Sequence, residues 1–360
     1  MYSPARYLGH IFLKRRPIHL TFFVTRRCNA KCPFCFYLKS GGALSPDRPE
    51  LSLDEIEKTS LSLGRLLWLA FSGGEIYLRD DLAEISRIFY RNNRPSIMLY
   101  PTNGLLPEVI YEKTGQILES CRKSVIAVKL SMDGLHGAHD AVRNTPGSFD
   151  KTMETYRLLG GFVEKYPNFE LGINTVFCSQ NQDAMDEIID YVRGLEHIKT
   201  HTISLVRGNL SDRSYKAVDF LKYNRAIEKL EANLKNRTAP VYRFRGARLK
   251  AAQDILQRRF IHRTANEQRR LIPCYAGQLN LVLTENGEVY PCEILSESFG
   301  NIRDYGYDIG RVAGSEEARR IITAIKDKKC YCTHECYFMT NILFNPGLYA
   351  ALGKEYIQLR

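Results

Sequence analysis

From residue 18 to about residue 207, short apolar runs alternate with longer segments whose apolar positions recur at helical spacing. The apolar runs predict six strands, at 18–25, 67–72, 96–101, 124–131, 169–178 and 200–206. Helices are predicted between them. The first opens at Ser52, whose side chain can cap the helix while Glu55 reaches back as the other half of a capping box. Others are expected at 81–92, 149–165 and 183–196. Successive strand and helix units are the rhythm of a parallel sheet and predict an α/β fold, a partial (β/α)6 TIM-like barrel or an open sheet. In either, chemistry gathers at the C-terminal ends of the strands.

After about residue 209 the pattern changes to long helical stretches, one of them strongly basic from 235 to 270. A hairpin is then expected across 279–289, turning at Glu285, Asn286 and Gly287. These changes divide the chain into a basic N-terminal extension (1–17), the strand and helix domain (18–210), a basic helical connector (211–272) and a smaller α+β domain (273–360).

With 360 residues, 44% of them hydrophobic, the chain can bury a full α/β core and still carry that second domain. Arg6, Lys14, Arg15 and Arg16 interrupt the segment before Cys28, so no signal-peptide pattern precedes it, and no apolar run reaches transmembrane length. The expectation is a soluble, cytoplasmic protein. Ten cysteines in such a chain point to metal ligation rather than a disulfide framework. The net charge of +11 points to an anionic partner: a phosphate-bearing or other anionic small molecule, a peptide, or a lipid surface touched peripherally. No nucleic-acid-binding module is present in the pattern.

Three cysteines, Cys28, Cys32 and Cys35, follow the first strand at CxxxCxxC spacing. Three close thiolates can hold three irons of a four-iron cluster and leave the fourth iron open. Structural zinc, the alternative, takes four ligands, usually as two short-spaced pairs. Other strand ends carry LAFSGGE (69–75), PTNG (101–104) and KLSMDG (129–134), and HDAVRNTPGSFD (139–150) follows. In this order and placement the segments resemble the radical S-adenosylmethionine (SAM) superfamily. The resemblance implies that the open iron chelates the amino and carboxylate groups of SAM. It also implies Phe34 beside the adenine, Gly73, Gly74 and Glu75 at the methionine part, Ser131 near ribose and carboxylate, and Arg143 paired with that carboxylate.

Cys274 and Cys292 bracket the predicted hairpin, and CYCTHEC supplies Cys330, Cys332 and Cys336. This set resembles the SPASM extension or its shorter twitch relative, and implies one auxiliary [4Fe-4S] cluster. Cys274, Cys292 and Cys336 come first as ligands, with Cys332 or Cys330 as the fourth and the other spare. A zinc knuckle using His334 is the competing reading. Cys121 and Cys178 fall outside both sets and read as buried structural thiols, although Cys178 ends strand five and could face the active-site mouth.

The resemblance implies reductive cleavage of SAM to a 5'-deoxyadenosyl radical, hydrogen abstraction from a substrate, and an electron donor such as a flavodoxin or ferredoxin. Glu293 stands where sulfatase-maturating relatives carry an acidic residue that removes a proton, against the commoner reading of a solvated surface carboxylate, and Tyr37 matches an active-site tyrosine of those relatives. The leading substrate is a ribosomal peptide undergoing oxidation or bond formation. The alternatives are a dehydrogenase or tailoring enzyme for a sugar, alcohol or lipid, and a noncatalytic iron-sulfur carrier or redox-responsive binding protein.

Overall fold

The computed structural model describes residues 1–38, 48–240, 242–327 and 330–359. The six predicted strands are β1 (His19–Thr25), β2 (Trp68–Gly73), β3 (Ile97–Thr102), β4 (Val125–Ser131), β5 (Phe169–Phe177) and β6 (Thr200–Leu205), all parallel. Five of them are followed by helices that return the chain: α1 (Leu53–Ser62), α2 (Leu82–Asn93), α3 (Pro107–Ser120), α4 (His136–Arg143) with α5 (Ser148–Lys165), and α6 (Met185–Arg193). The capping box that opens α1 is present, with Glu55 N–H donating to Ser52 Oγ at 3.3 Å and Ser52 N–H to Glu55 Oε2 at 2.9 Å. Two of these helices, α3 and α4, lie outside the predicted ones. α3 buries only one or two apolar residues per turn around Thr114, a weak stripe, and α4 has just eight residues.

Alternation along the strands divides each into two faces. Leu20, Phe22, Leu69, Phe71, Met98, Tyr100, Ile126 and Val128 are fully buried in the main apolar core. The residues between them, among them Thr21, Ala70, Leu99, Ala127 and Lys129, line a cavity inside the curl of the sheet. The sheet does not close on itself.

Beyond β6 come α7 (Phe220–Lys235), α8 (Ala247–Glu267), β7 (Asn280–Leu283), β8 (Glu288–Tyr290) and β9 (Gly300–Asn301). Four helices follow: α9 (Ile309–Ala313), α10 (Glu316–Asp327), α11 (Glu335–Leu343) and α12 (Tyr349–Gln358). β7 and β8 form the predicted hairpin, and β7 also pairs in parallel with β1, His19 opposite Asn280. The strand order is therefore β6-β5-β4-β3-β2-β1-β7-β8-β9, one sheet shared by both halves of the chain. α8 and α11 cover the side of the cavity that the sheet leaves open, through Lys250, Asp254, Gln257, Cys336 and Met339.

The basic stretch around α8 is taken up by fastening these pieces together. Arg259 reaches Glu231 on α7 and, at 2.7 Å, Glu355 on α12, and Lys235 pairs with the same two carboxylates. Arg243 donates to the carbonyls of Val163 and Phe169, Arg248 to that of Tyr356, and Arg270 to that of Cys330. No helix among the described residues is long and apolar enough to cross a membrane.

Candidate functional site

Beyond β1 the chain runs directly into the loop carrying Cys28, Cys32 and Cys35. Two backbone bonds tie this loop to the one after β2: Gly74 N–H donates to the Thr25 carbonyl at 2.9 Å and Glu75 N–H to that of Arg27 at 2.8 Å. The approach is so close that a Cβ at Gly74 would lie 2.1 Å from the Arg27 oxygen, and Gly73, at φ +133°, would place one 2.3 Å from the Thr25 oxygen. The two glycines are thus a packing requirement of the cysteine loop. Backbone N–H groups of Ala30 and Leu38 lie 3.4 Å from the Cys28 and Cys35 sulfurs.

All three thiols line the interior cavity, whose volume is about 380 Å3. Three thiols on one loop, all on the wall of one cavity, are by donor type and number a set that fits an iron-sulfur cluster with one iron left open.

Phe34, Gly73, Gly74, Glu75, Ser131 and Arg143 line the same cavity. Glu75 is buried, and its carboxylate accepts from Tyr77 N–H (3.2 Å), the Thr102 hydroxyl (2.8 Å) and Asn103 N–H (2.8 Å). It braces β2 against β3 as well as facing the cavity. Arg143 is held by Asp133 at 2.6 Å and stands 6.0 Å from the Phe34 ring. Asp133 in turn accepts from Val176 N–H at 2.7 Å, so β5 sets the angle of the arginine. Asn103, from PTNG, donates to Asn29 at 2.7 Å and ties the cysteine loop to β3. Neither Asp133 nor Asn103 was among the predicted site residues, though both sit in the segments that singled out Ser131 and the PTNG turn.

Across the cavity stand Arg207, after β6, and Glu293, His334, Glu335 and Cys336. Glu293 is buried, with His334 Nε2 at 2.6 Å and Arg207 at 3.6 Å. Burial pushes its carboxyl up, but His334 and Arg207 outweigh that and hold it at about 2. Glu293 is therefore a fixed negative charge and a weak base, not the solvated surface group that its polarity alone allows. Arg207 also pairs with Glu335 at 3.1 Å. Sequence reasoning missed Arg207, which has no motif around it, and weighed His334 only as a zinc ligand.

One expectation needs correction. Tyr37 does not line this cavity: its ring packs 4.4 Å from Phe23 and its hydroxyl donates to Glu285 in the hairpin turn. Cys178 is a buried thiol as expected, in an apolar cluster with Phe34, Val206 and Tyr215, and is not among the residues lining the cavity. Cys121 is buried as expected, at the end of α3.

The second cysteine set also sorts differently from the expectation. Cys274, Cys292, Cys330 and Cys332 line a separate cavity of about 70 Å3, together with Tyr331 and Tyr337. Cys336 faces the larger cavity instead. The turn into α11 carries it there, four residues past Cys332, the last member of the four. Burial pushes the thiols of Cys292, Cys332 and Cys336 up to about 12, so they stay protonated near neutrality unless a metal displaces the proton.

Comparison with known proteins bears on this geometry. Residues 22–192 match the model of the Radical SAM superfamily, a segment that runs from β1 through α6. The AdoMet-dependent heme synthase of Methanosarcina barkeri is 27% identical over 307 residues, covering 82% of each chain. The antilisterial bacteriocin subtilosin biosynthesis protein AlbA of Bacillus subtilis is 26% identical over 300 residues, 81% of this chain but 59% of AlbA. In fold, the chain is similar to native anSMEcpe with bound AdoMet, at a TM-score of 0.60 and 18% identity over 95% of this chain and 97% of that one. The segment 22–192, which builds the three-thiol loop and the glycine loop against it, is a radical SAM domain.

Proposed function

We propose that the protein is a radical SAM enzyme that removes a hydrogen atom from a peptide and completes a net oxidation or bond formation. One observation carries this reading: a single cavity joins the three-thiol loop to Glu293, His334 and Cys336, which belong to the segment bearing the second set of thiols. Cys28, Cys32 and Cys35 hold the first cluster, and Cys274, Cys292, Cys330 and Cys332 hold one auxiliary cluster. When bound, the clusters and SAM supply an electron, a 5'-deoxyadenosyl radical and a site to return an electron to.

The chain's own residues do the rest. Arg143, steered by Asp133, receives the carboxylate of SAM, Phe34 packs beside the adenine, and Ser131 and the Gly73–Gly74 edge meet the ribose and methionine parts. Glu293 faces the substrate as a ready carboxylate and takes up the proton that oxidation releases, with His334 holding its Oε2 in place. A weak base suffices there, because a C–H or N–H next to a radical centre is far more acidic than in the parent molecule. An electron carrier such as flavodoxin or ferredoxin is the fitting donor. A reducing compartment such as the cytoplasm suits this use of the cysteines.

Peptide modification is supported by the similarity to the subtilosin biosynthesis protein. A second reading, oxidation of a tetrapyrrole, is favoured by the match to the heme synthase along most of both chains, whereas the subtilosin relative is matched over 59% of its length. Anaerobic incubation of the reconstituted protein with SAM and dithionite tests the shared chemistry. The expected result is about eight irons per chain, the content of two four-iron clusters, and formation of 5'-deoxyadenosine. Absence of 5'-deoxyadenosine would favour a noncatalytic carrier.

A further inference from the structure

The cavity continues from the cysteine loop toward the N-terminal ends of the strands, where its wall includes Trp68, Val125, Lys129, Glu170 and Thr200. Apolar branched residues normally fill a barrel at this depth. Here β4 turns Lys129 inward. Its ammonium donates to the Thr200 hydroxyl and lies 3.5 Å from that of Thr202, both on β6. These hydroxyls are its only hydrogen-bond partners among the described residues. The strand between is shaped around it. Gly172 on β5 is in register with both Lys129 and Thr200, and a Cβ there would lie 2.5 Å from the Lys129 nitrogen and 2.5 Å from the Thr200 hydroxyl. Burial lowers the ammonium to about 7 even though Asp254 and Glu170 raise it, and no carboxylate among the described residues hydrogen-bonds to it as a direct counter-charge.

The surrounding groups limit what could supply that counter-charge. Lys250 enters from α8 but already pairs with Asp254. Glu170 uses Oε1 to accept from Arg243 N–H at 2.6 Å, and among the described residues its Oε2 has no hydrogen-bond partner, nor has the indole nitrogen of Trp68. With Glu170 and Asp254 close by, a dianion such as phosphate meets repulsion. A single carboxylate matches one ammonium, and the two hydroxyls can serve its second oxygen.

We propose that Lys129, Thr200 and Thr202 form a carboxylate-binding site on the barrel floor, which anchors the substrate beneath the SAM-side residues. This rests on the radical SAM reading only in calling the ligand substrate. The shared chemistry is a carboxylate, whether from an acidic peptide residue or from a tetrapyrrole side chain.

Trp68, the only tryptophan of the chain, stands in the same wall and reports on the site. The reconstituted full chain is titrated with propionate, and with propionamide as the uncharged control, while Trp68 fluorescence is followed. The expected result is a saturable change with propionate alone, weakened about tenfold or more in Lys129→Met, as loss of a charge-assisted bond requires. Thr202→Val, a milder change, should weaken it several-fold. Equal responses to the two probes, or unaltered propionate binding in both variants, would overturn the site. Displacement of propionate by a capped glutamate tripeptide supports a peptide carboxylate, and displacement by coproporphyrin III a tetrapyrrole one. Displacement by neither would overturn it as a substrate site. 5'-Deoxyadenosine formation by the unaltered protein is recorded alongside. Its absence sinks the radical SAM reading and leaves carboxylate binding to be judged on the titration.

Discussion

His334 donates from Nε2 to Glu293 Oε2 across 2.6 Å, and both residues lie on the wall of the cavity that the three-thiol loop opens into. One follows Cys292 and the other lies between Cys332 and Cys336, so the hydrogen bond links two stretches that also wall the smaller thiol pocket. Assembly of that pocket and placement of the acidic group are therefore coupled.

Replacing Glu293 by Gln keeps the shape but removes the charge that His334 and Arg207 face. Substrate turnover is expected to fall about a hundredfold or more, the scale of a lost proton acceptor, and Asp to restore part of it. Mass spectrometry of product, set against 5'-deoxyadenosine formed, reads the uncoupling. Unchanged turnover would remove Glu293 from the mechanism.

Iron analysis separates the thiols. Cys330→Ala or Cys332→Ala should bring iron from about eight to about four per chain, and Cys336→Ala should leave about eight, because Cys336 faces the other cavity. Loss of four irons in the Cys336 variant would return that residue to the ligand set.

Gly74→Ala places a methyl group where the Arg27 carbonyl stands, so the two loops must part. SAM binding measured by calorimetry is expected to weaken about tenfold or more, since backbone displacement at a binding loop costs at least one or two kcal/mol. Gly353, with nothing within 4 Å of its added Cβ, should tolerate the same change in SAM binding.

Glu55 fastens the two halves of the chain. Its carboxylate takes two bonds from Arg303, at 2.6 and 3.0 Å, and one from Tyr307 at 3.1 Å. Bonds from Arg303 outweigh burial and hold Glu55 at about 2, below the ordinary 4.5. Its folded pKa is depressed, so the stability it adds is fully present above about 4.5 and disappears as pH falls through 2. Glu55→Gln should lower stability by about 1–3 kcal/mol near neutral pH, with the difference shrinking below pH 4.5. A pH-independent difference in denaturant titrations would show that packing, not charge, is responsible.

Much of this protein was legible locally. Strand positions came within a residue or two because each apolar run is short, buried on both faces and bounded by polar turns. The capping box of α1 is a contact between residues three apart, and CxxxCxxC is a spacing within one loop. The weak stripe of α3 left it unmarked. Part of the charge of the 235–270 stretch is used against Glu231, Glu355 and backbone carbonyls that no local pattern could have paired with it.

By itself, then, the sequence determined the parallel α/β core, the loop with Cys28, Cys32 and Cys35, and the hairpin between Cys274 and Cys292, because each depends on neighbours within a few residues. Only the tertiary structure decided that the hairpin extends the main sheet, that Cys336 leaves the other four thiols, and that Tyr37 turns away from the cavity. The same is true of Lys129, whose inward direction depends on strand register. Side chains alternate with a period of two, so a shift of one residue would put it on the opposite face, and long-range packing sets that choice.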